Sequence, residues 1–405
     1  MMQRLEHARI LMYSHDTFGL GHLRRCRAIA HALVEDFRGL NVLIISGSPI
    51  AGAFDYRARV DFVKIPSVIK RRNGEYTSLD RHADLHETMM MRQSIIRYTA
   101  ETFQPDLLIV DKEPLGLRGE LEETLSVLKK RSTTLVLGLR DVMDAPHLLD
   151  AEWKQRDVMR KIDQFYDRIW VYGPRDFYDP LQGLEVPTGV RSRMSFVGFL
   201  PRQASTEEFA ASRPEDDYIL VTPGGGGDGA ALVHDVLDGY LSDLSLQHRS
   251  LIVLGPYMPA RKRRKLFKKG KRIPWVQMIE FDSHMENLIA GAKAVVAMGG
   301  YNTFCEILSF DKPAIVVPRV RPREEQLIRA SRAAALGLID MLSPEQAEDA
   351  KTFAAALKAL PDRRPPSAAS RDLHLEGLAN ISAHVGKWLS QKSPAHLKIV
   401  HEAGA

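Results

Sequence analysis

The chain has 405 residues, 44% hydrophobic and 26% charged, with two cysteines and a formal net charge of +5. Its length exceeds what a single core usually serves, so two domains are expected. No apolar run reaches 18 residues, which excludes a membrane-spanning helix, and two distant cysteines, Cys26 and Cys305, exclude a disulfide framework and fit a reducing cytoplasm.

The N-terminal stretch MMQRLEHARILMYSHD has neither the long apolar centre nor the cleavage site of a secretory signal, so a cytoplasmic location is expected. Six predicted strands follow: ARILMYSH from Ala8, NVLIIS from Asn41, DFVKIP from Asp61, DLLIVD from Asp106, TTLVLGLR from Thr133 and RIWVYG from Arg168. Most are continuous apolar runs, the pattern of a parallel sheet covered on both faces. Helix-length segments such as GHLRRCRAIAHALVEDF and ADLHETMMMRQSIIRYTAETF lie between them, an alternation that predicts a doubly wound α/β domain.

The first strand runs into SHDTFGLGHLRRC. Gly19 and Gly21 there allow a ligand close to the backbone, and His22 stands at the helix start, where free N–H groups collect. The third glycine of the dinucleotide fingerprint is missing. Asp111 closes the fourth strand and Asp141 follows the fifth, both at the carboxyl edge where open α/β sheets bind ligands. His22, Asp111 and Asp141 are three candidates for a catalytic base; each aspartate could equally be a cap or an ion-pair partner, while a near-neutral pKa suits His22 to proton transfer.

PRQASTEEFAASRPEDD, polar and broken by prolines, reads as a linker. Residues 1–200 are therefore assigned to an N-terminal Rossmann-like domain and 201–370 to a second one. The remaining 371–405 form a helix and tail packing back on the first.

Strand–helix alternation restarts at YILVTPGGGGDGAALV. Gly224, Gly225, Gly226 and Gly227, followed by Asp228 and Gly229, are conformationally costly as a mere turn, and backbone amides gathered round a phosphate explain them better. No Gly-Lys-Ser/Thr follows, so this is not a P-loop. The segment from Arg261 to Arg272, RKRRKLFKKGKR, then holds nine basic residues and no acid. Without it the net charge of +5 becomes −4, so the chain is not generally basic and nucleic-acid affinity is not implied. In MGGYNTFCE, Gly299 and Gly300 end another strand, with Asn302 or Thr303 expected to cap the next helix. Glu306 falls one turn in; a carboxylate there suits a pair of hydroxyls, as on a ribose, rather than a phosphate. After PAIVVP come Arg319, Arg321 and Arg323, with Glu325 and Gln326 placed for sugar hydroxyls. The predicted fold class is thus α/β, two Rossmann-like doubly wound domains facing each other across a cleft, and the ligand these loops describe is a nucleotide sugar.

These motifs resemble the GT-B glycosyltransferases, in particular the family 28 branch of the peptidoglycan lipid-linked N-acetylglucosaminyltransferase, and within it predicted bacterial glycosyltransferases of unassigned substrate. The resemblance spans nearly the whole chain and is strongest from Gly224 to Ala330. It implies that GLGH lies over the active site and that GGGGDGA approaches the diphosphate. It further implies that Phe281, after Glu280, caps the uracil. Gly299 to Thr303 with Glu306 would hold phosphate and ribose, and Glu325 and Gln326 the donor sugar. The implied activity is transfer of a hexose or N-acetylhexosamine from a UDP-linked donor to a hydroxyl or lipid-linked glycan acceptor, in cell-surface or exopolysaccharide synthesis. No cofactor beyond that donor is implied. No Asp-x-Asp pair occurs, so no metal is expected, and the diphosphate falls to the helix starts with Arg319 or Arg321.

One departure is VDKEPLG, which puts Asp111, Lys112 and Glu113 where the family has a flexible glycine-rich loop and argues against a muropeptide acceptor. The start GxGHxxR also resembles a nucleotide-sugar hydrolase. Hydrolysis, 2-epimerisation on the same fold and non-catalytic nucleotide binding therefore stay open. Nucleic acid is not an expected partner, because aromatics do not interleave with the basic strip. That strip, with Leu266 and Phe267, is expected to press on an anionic membrane, making the protein peripheral on the inner face.

Overall fold

The structure is a computed structural model and describes residues 3–4, 8–15, 20–70, 76–78, 84–204 and 217–392. Gly19 and most of the linker lie outside the described residues. The chain divides into two compact units, the first Met1–Leu200 with Glu376–Ala405, the second Pro201–Leu375.

The main sheet of the first unit has, among the described residues, seven parallel strands: β1 (Arg9–Ser14), β2 (Asn41–Ser46), β3 (Val60–Lys64), β4 (Leu107–Asp111), β5 (Thr134–Arg140), β6 (Arg168–Tyr172) and β7 (Met194–Phe196). In space they run β7-β6-β5-β4-β1-β2-β3. Every residue of LLIVD in β4 is buried, as expected of a central strand with helices on both faces. The order reverses direction between β1 and β4, and a crevice opens at the carboxyl ends of such a pair. Register fixes what meets there: Ser14 of β1 lies beside Asp111 of β4, and Asp111 beside Gly138 of β5.

Helix α1 (Gly21–Asp36) follows β1, and α2 (Leu85–Phe103) begins under Asp84, whose carboxylate accepts from the backbone N–H groups of His86 and Glu87. The C-terminal helix, Gly377–Lys392, packs on α1. It is tied to the first unit by Gly377 N–H to Phe199 O at 3.0 Å and Asn380 Nδ2 to Val197 O at 2.9 Å. An antiparallel pair, Val68–Lys70 with Tyr76–Ser78, is too short to carry a readable pattern.

The second unit repeats the plan with six parallel strands: β8 (Ile219–Thr222), β9 (Ser250–Val253), β10 (Val276–Ile279), β11 (Ala294–Ala297), β12 (Ala314–Val316) and β13 (Asp340–Met341). Their order is β10-β9-β8-β11-β12-β13, so the reversal falls between β8 and β11. Its helices include α3 (Ala230–Ser242), α4 (Ala260–Gly270), α5 (Tyr301–Ser309) and α6 (Glu325–Ala335).

Two expectations change here. Helix α5 starts at Tyr301 with Gly300 as its cap residue and no side-chain cap bond, so neither Asn302 nor Thr303 caps it. Both instead sit buried in its first turn. In α4, Leu266 is 4% exposed within the core and Phe267 packs against that core, so neither reaches outward. No helix among the described residues is long and apolar enough to cross a membrane.

Candidate active site

At the β1–β4 crevice α1 brings His22 and Arg25 one turn apart on one face, over the carboxylate that ends β4. His22 Nδ1 lies 2.5 Å from Asp111 Oδ2. Arg25 donates from Nε to Oδ1 at 3.0 Å and from Nη2 to Oδ2 at 2.6 Å. Burial alone would raise the Asp111 carboxyl, but Arg25 and then His22 hold it below the ordinary range. An ionised Oδ2 cannot sit so close to a bare ring nitrogen, so the His22 proton is on Nδ1 and the Nε2 lone pair is left over. Among the described residues Nε2 has no hydrogen-bond partner. Burial pushes the imidazolium down to about 3 against the pull of Asp111, with Arg25 and His15 adding to the fall.

Exposure separates the three candidate bases. The His22 side chain is 17% exposed and that of Asp111 1%. Asp141 is 0% exposed, with the chain after β6 so near that a Cβ at Gly173 would lie 2.8 Å from its own Cβ. Of the three, His22 is the one whose side chain reaches solvent.

A second buried cluster lies along the same strand. Arg92 of α2 forks onto Glu120, Nε to Oε2 at 2.7 Å and Nη2 to Oε1 at 2.6 Å, and Nη1 reaches Pro66 O at 2.6 Å. Tyr13 donates its hydroxyl to Glu120 Oε1, accepts from Leu117 N at 3.3 Å and lies 3.4 Å from His15 Nδ1. His15 in turn meets His22 edge-on, ring centres 5.6 Å apart. Arg92, Tyr13 and Glu120 were not singled out from the sequence, and Arg25 entered only as the arginine of GxGHxxR. Arg25 had a signal, three residues after His22 on one helix; Arg92 and Glu120 are 28 residues apart and had none.

The β8–β11 crevice of the second unit is built from backbone. At Gly226, φ is +84° and a Cβ would fall 2.1 Å from Leu254 O, so part of the glycine run packs one loop against another. Gly300 is different: φ is −59° and a Cβ would meet nothing within 4 Å. Neither packing nor backbone demands glycine there, and the space before the α5 N–H groups is open. Arg329 of α6, 0% exposed, donates to Gly299 O at 3.0 Å and fixes that turn.

Four residues singled out from the sequence converge on one point. Arg319 donates to Asp228 at 2.7 Å and Glu325 at 2.5 Å, and its backbone N–H donates to Gln326 Oε1 at 3.0 Å. Its charge is thus already paired with two carboxylates, while Arg321 is exposed. Phe281 is half-buried just after the edge strand β10. Glu306 is 0% exposed, against the expectation of a carboxylate facing ligand, because α5 is buried from Tyr301 to Leu308.

Residues 218–383 match the family model of the glycosyltransferase family 28 C-terminal domain. No curated protein matches the chain. Among solved structures it is similar to the calicheamicin glycosyltransferase CalG4 at 16% identity, covering 96% of this chain and 100% of that one with a TM-score of 0.61. It is similar to Phytolacca americana UGT2, complexed with UDP-2-fluoro-glucose and pterostilbene, at 14% identity over 95% and 100% with a TM-score of 0.64. Against Acinetobacter baumannii MurG the figures are 14% identity, 95% and 99% coverage and a TM-score of 0.54. At such identities the likeness is one of fold, and the fold is GT-B.

Proposed function

We propose that this GT-B chain, with its family 28 C-terminal domain, is a glycosyltransferase that moves a hexose or N-acetylhexosamine from a UDP-linked donor to a hydroxyl acceptor. The observation that carries the reading is His22, neutral, oriented by Asp111 and alone exposed among the candidate bases. In the reaction the acceptor hydroxyl gives its proton to His22 Nε2 while its oxygen bonds the anomeric carbon. The bond from that carbon to the diphosphate breaks, and the charge leaves with the nucleotide. N–H groups at the start of α5 and in the Gly225–Gly229 loop receive that charge, as helix N-termini and backbone nests do.

Phe281 is the proposed stacking partner of the base: β10 lies two strands from β8, roughly 10 Å at ordinary strand spacing, a span that suits a nucleotide. Glu325 and Gln326 are assigned to the donor sugar, and Glu306, buried in α5, to the support of the ribose site. Arg319 organises this edge rather than offering a free charge. No metal is called for, since backbone donors and a neutral base divide the work.

The acceptor is proposed to be a cell-surface or exopolysaccharide glycan, with the protein held peripherally on an anionic membrane. Support comes from α4 and the two residues after it: Arg261, Lys262, Arg264, Lys265, Lys268, Lys271 and Arg272 are exposed with no acid among them, while Arg263 and Lys269 are paired to Glu280 and Asp238. With Leu266 and Phe267 turned to the core, the contact would be electrostatic and sensitive to salt.

The test is incubation with UDP-sugars, with and without hydroxyl acceptors, followed by mass spectrometry. A sugar-bearing acceptor appearing with UDP is expected. UDP released equally without acceptor would make the protein a hydrolase, an epimeric donor would make it an epimerase, and tight UDP binding with no turnover would make it a binding protein.

A further inference from the structure

In an ordinary histidine–carboxylate pair the carboxylate stabilises the imidazolium and makes the ring a stronger base. Here the carboxylate is already taken. Arg25 is 2% exposed and occupies both oxygens of Asp111, and the same Nη2 that reaches Oδ2 lies 3.2 Å from His22 Nδ1. A protonated His22 ring would meet a guanidinium at contact distance and would have to share the Asp111 charge with it.

The rear of the pair is sealed. Tyr172 of β6 lays its ring over Gly138, the register neighbour of Asp111, so closely that a Cβ at 138 would fall 1.9 Å from Tyr172 Oη. That hydroxyl is buried with no hydrogen-bond partner among the described residues, and its titratable neighbours are Asp111, Cys26 and Arg25. The groups facing His22 are therefore Asp111 from β4, Arg25 from its own helix and His15 just after β1. His15 is itself held neutral by burial, with Glu113, Lys112, Glu120 and Arg92 around it.

We propose that Arg25 is a positioning residue that separates two roles of Asp111: with its charge taken by the arginine fork, the carboxylate aims the His22 ring through Nδ1–H without protonating it. The base then stays neutral and ready in acidic solution, where an isolated histidine–carboxylate pair would be charged and idle. This rests on the reading of His22 as the base, but its test needs no turnover.

The experiment is NMR titration of the full-length chain with histidine ring nitrogens labelled. His22 in the unaltered protein is expected to titrate below about pH 4, with the proton on Nδ1 at neutral pH, against about 6.5 for an ordinary histidine. In Arg25→Gln, which keeps a hydrogen-bond donor but removes the charge, the midpoint should climb by about one pH unit as Asp111 regains its pull, burial still holding it below the ordinary value. In Arg25→Lys, which keeps the charge, it should stay below about pH 5. An unaltered protein titrating near the ordinary value overturns the proposal with no variant needed. So does Arg25→Gln with an unmoved midpoint, or, if that variant does not fold, Arg25→Lys rising to the ordinary value. A low midpoint in a protein that transfers no sugar would leave this inference standing and retire the functional reading alone.

Discussion

The two crevices occupy the same place in two sheets of the same strand order and are built from opposite materials. In the first unit side chains do the work: two buried arginine forks, on Asp111 and on Glu120, bracket a pair of histidines held neutral. In the second unit the backbone does it, through glycine loops and the uncapped start of α5. The difference follows from what each is proposed to handle. A proton moves to one atom and needs a lone pair aimed and tuned. A diphosphate spreads its charge over many oxygens, and a set of fixed amides meets it without adding a countercharge that would hold the product.

The sharpest way to break this contrast is His22→Ala. Loss of a positioned base should lower turnover by about 10²- to 10⁴-fold, while calorimetry should find UDP affinity unchanged. A parallel loss of UDP affinity would mean that the two crevices are not divided by task. Next comes Glu120→Ala, which leaves Arg92 buried without its countercharge. Such a break costs about 3–5 kcal/mol, read as a fall in urea midpoint far beyond that of a change at Gly300.

Gly300→Val tests the opposite crevice. A Cβ there would meet nothing within 4 Å, so the melting temperature should hold, whereas UDP would lose N–H donors worth about 1.5–3 kcal/mol, or roughly ten- to a hundredfold in Kd. Gly138→Ala forces Tyr172 off its place over the strand; overpacking of this kind costs about 1–3 kcal/mol in stability, and thermal melts would register it without a change in UDP affinity.

The last effect is on pH. His22 and His31 are each depressed to about 3, by burial first. Below the ordinary histidine value of 6.5 the unfolded chain binds protons that the folded chain refuses. The stability these groups contribute is therefore complete above about pH 6.5 and is lost as pH falls towards 3. Melts across that range should decline steadily, and more steeply than in a protein carrying His22→Gln.

The sequence determined the strands, because a central parallel strand must be apolar on both faces, and runs such as LLIVD and AVVA state that without help from the rest of the chain. It also determined where the ligand loops fall, since glycines and a histidine at strand ends are local features. Tertiary structure alone decided which acid meets His22. Asp111 and Asp141 look alike as strand-end aspartates; the order of the strands sets Asp111 at the crevice and seals Asp141 behind Gly173. It alone turned Leu266 and Phe267 inward, because helix phase against a core is not written in a string of cations. And it alone joined Arg25 to Asp111 and Arg92 to Glu120, since ion pairs between distant segments follow from how the sheet is wound.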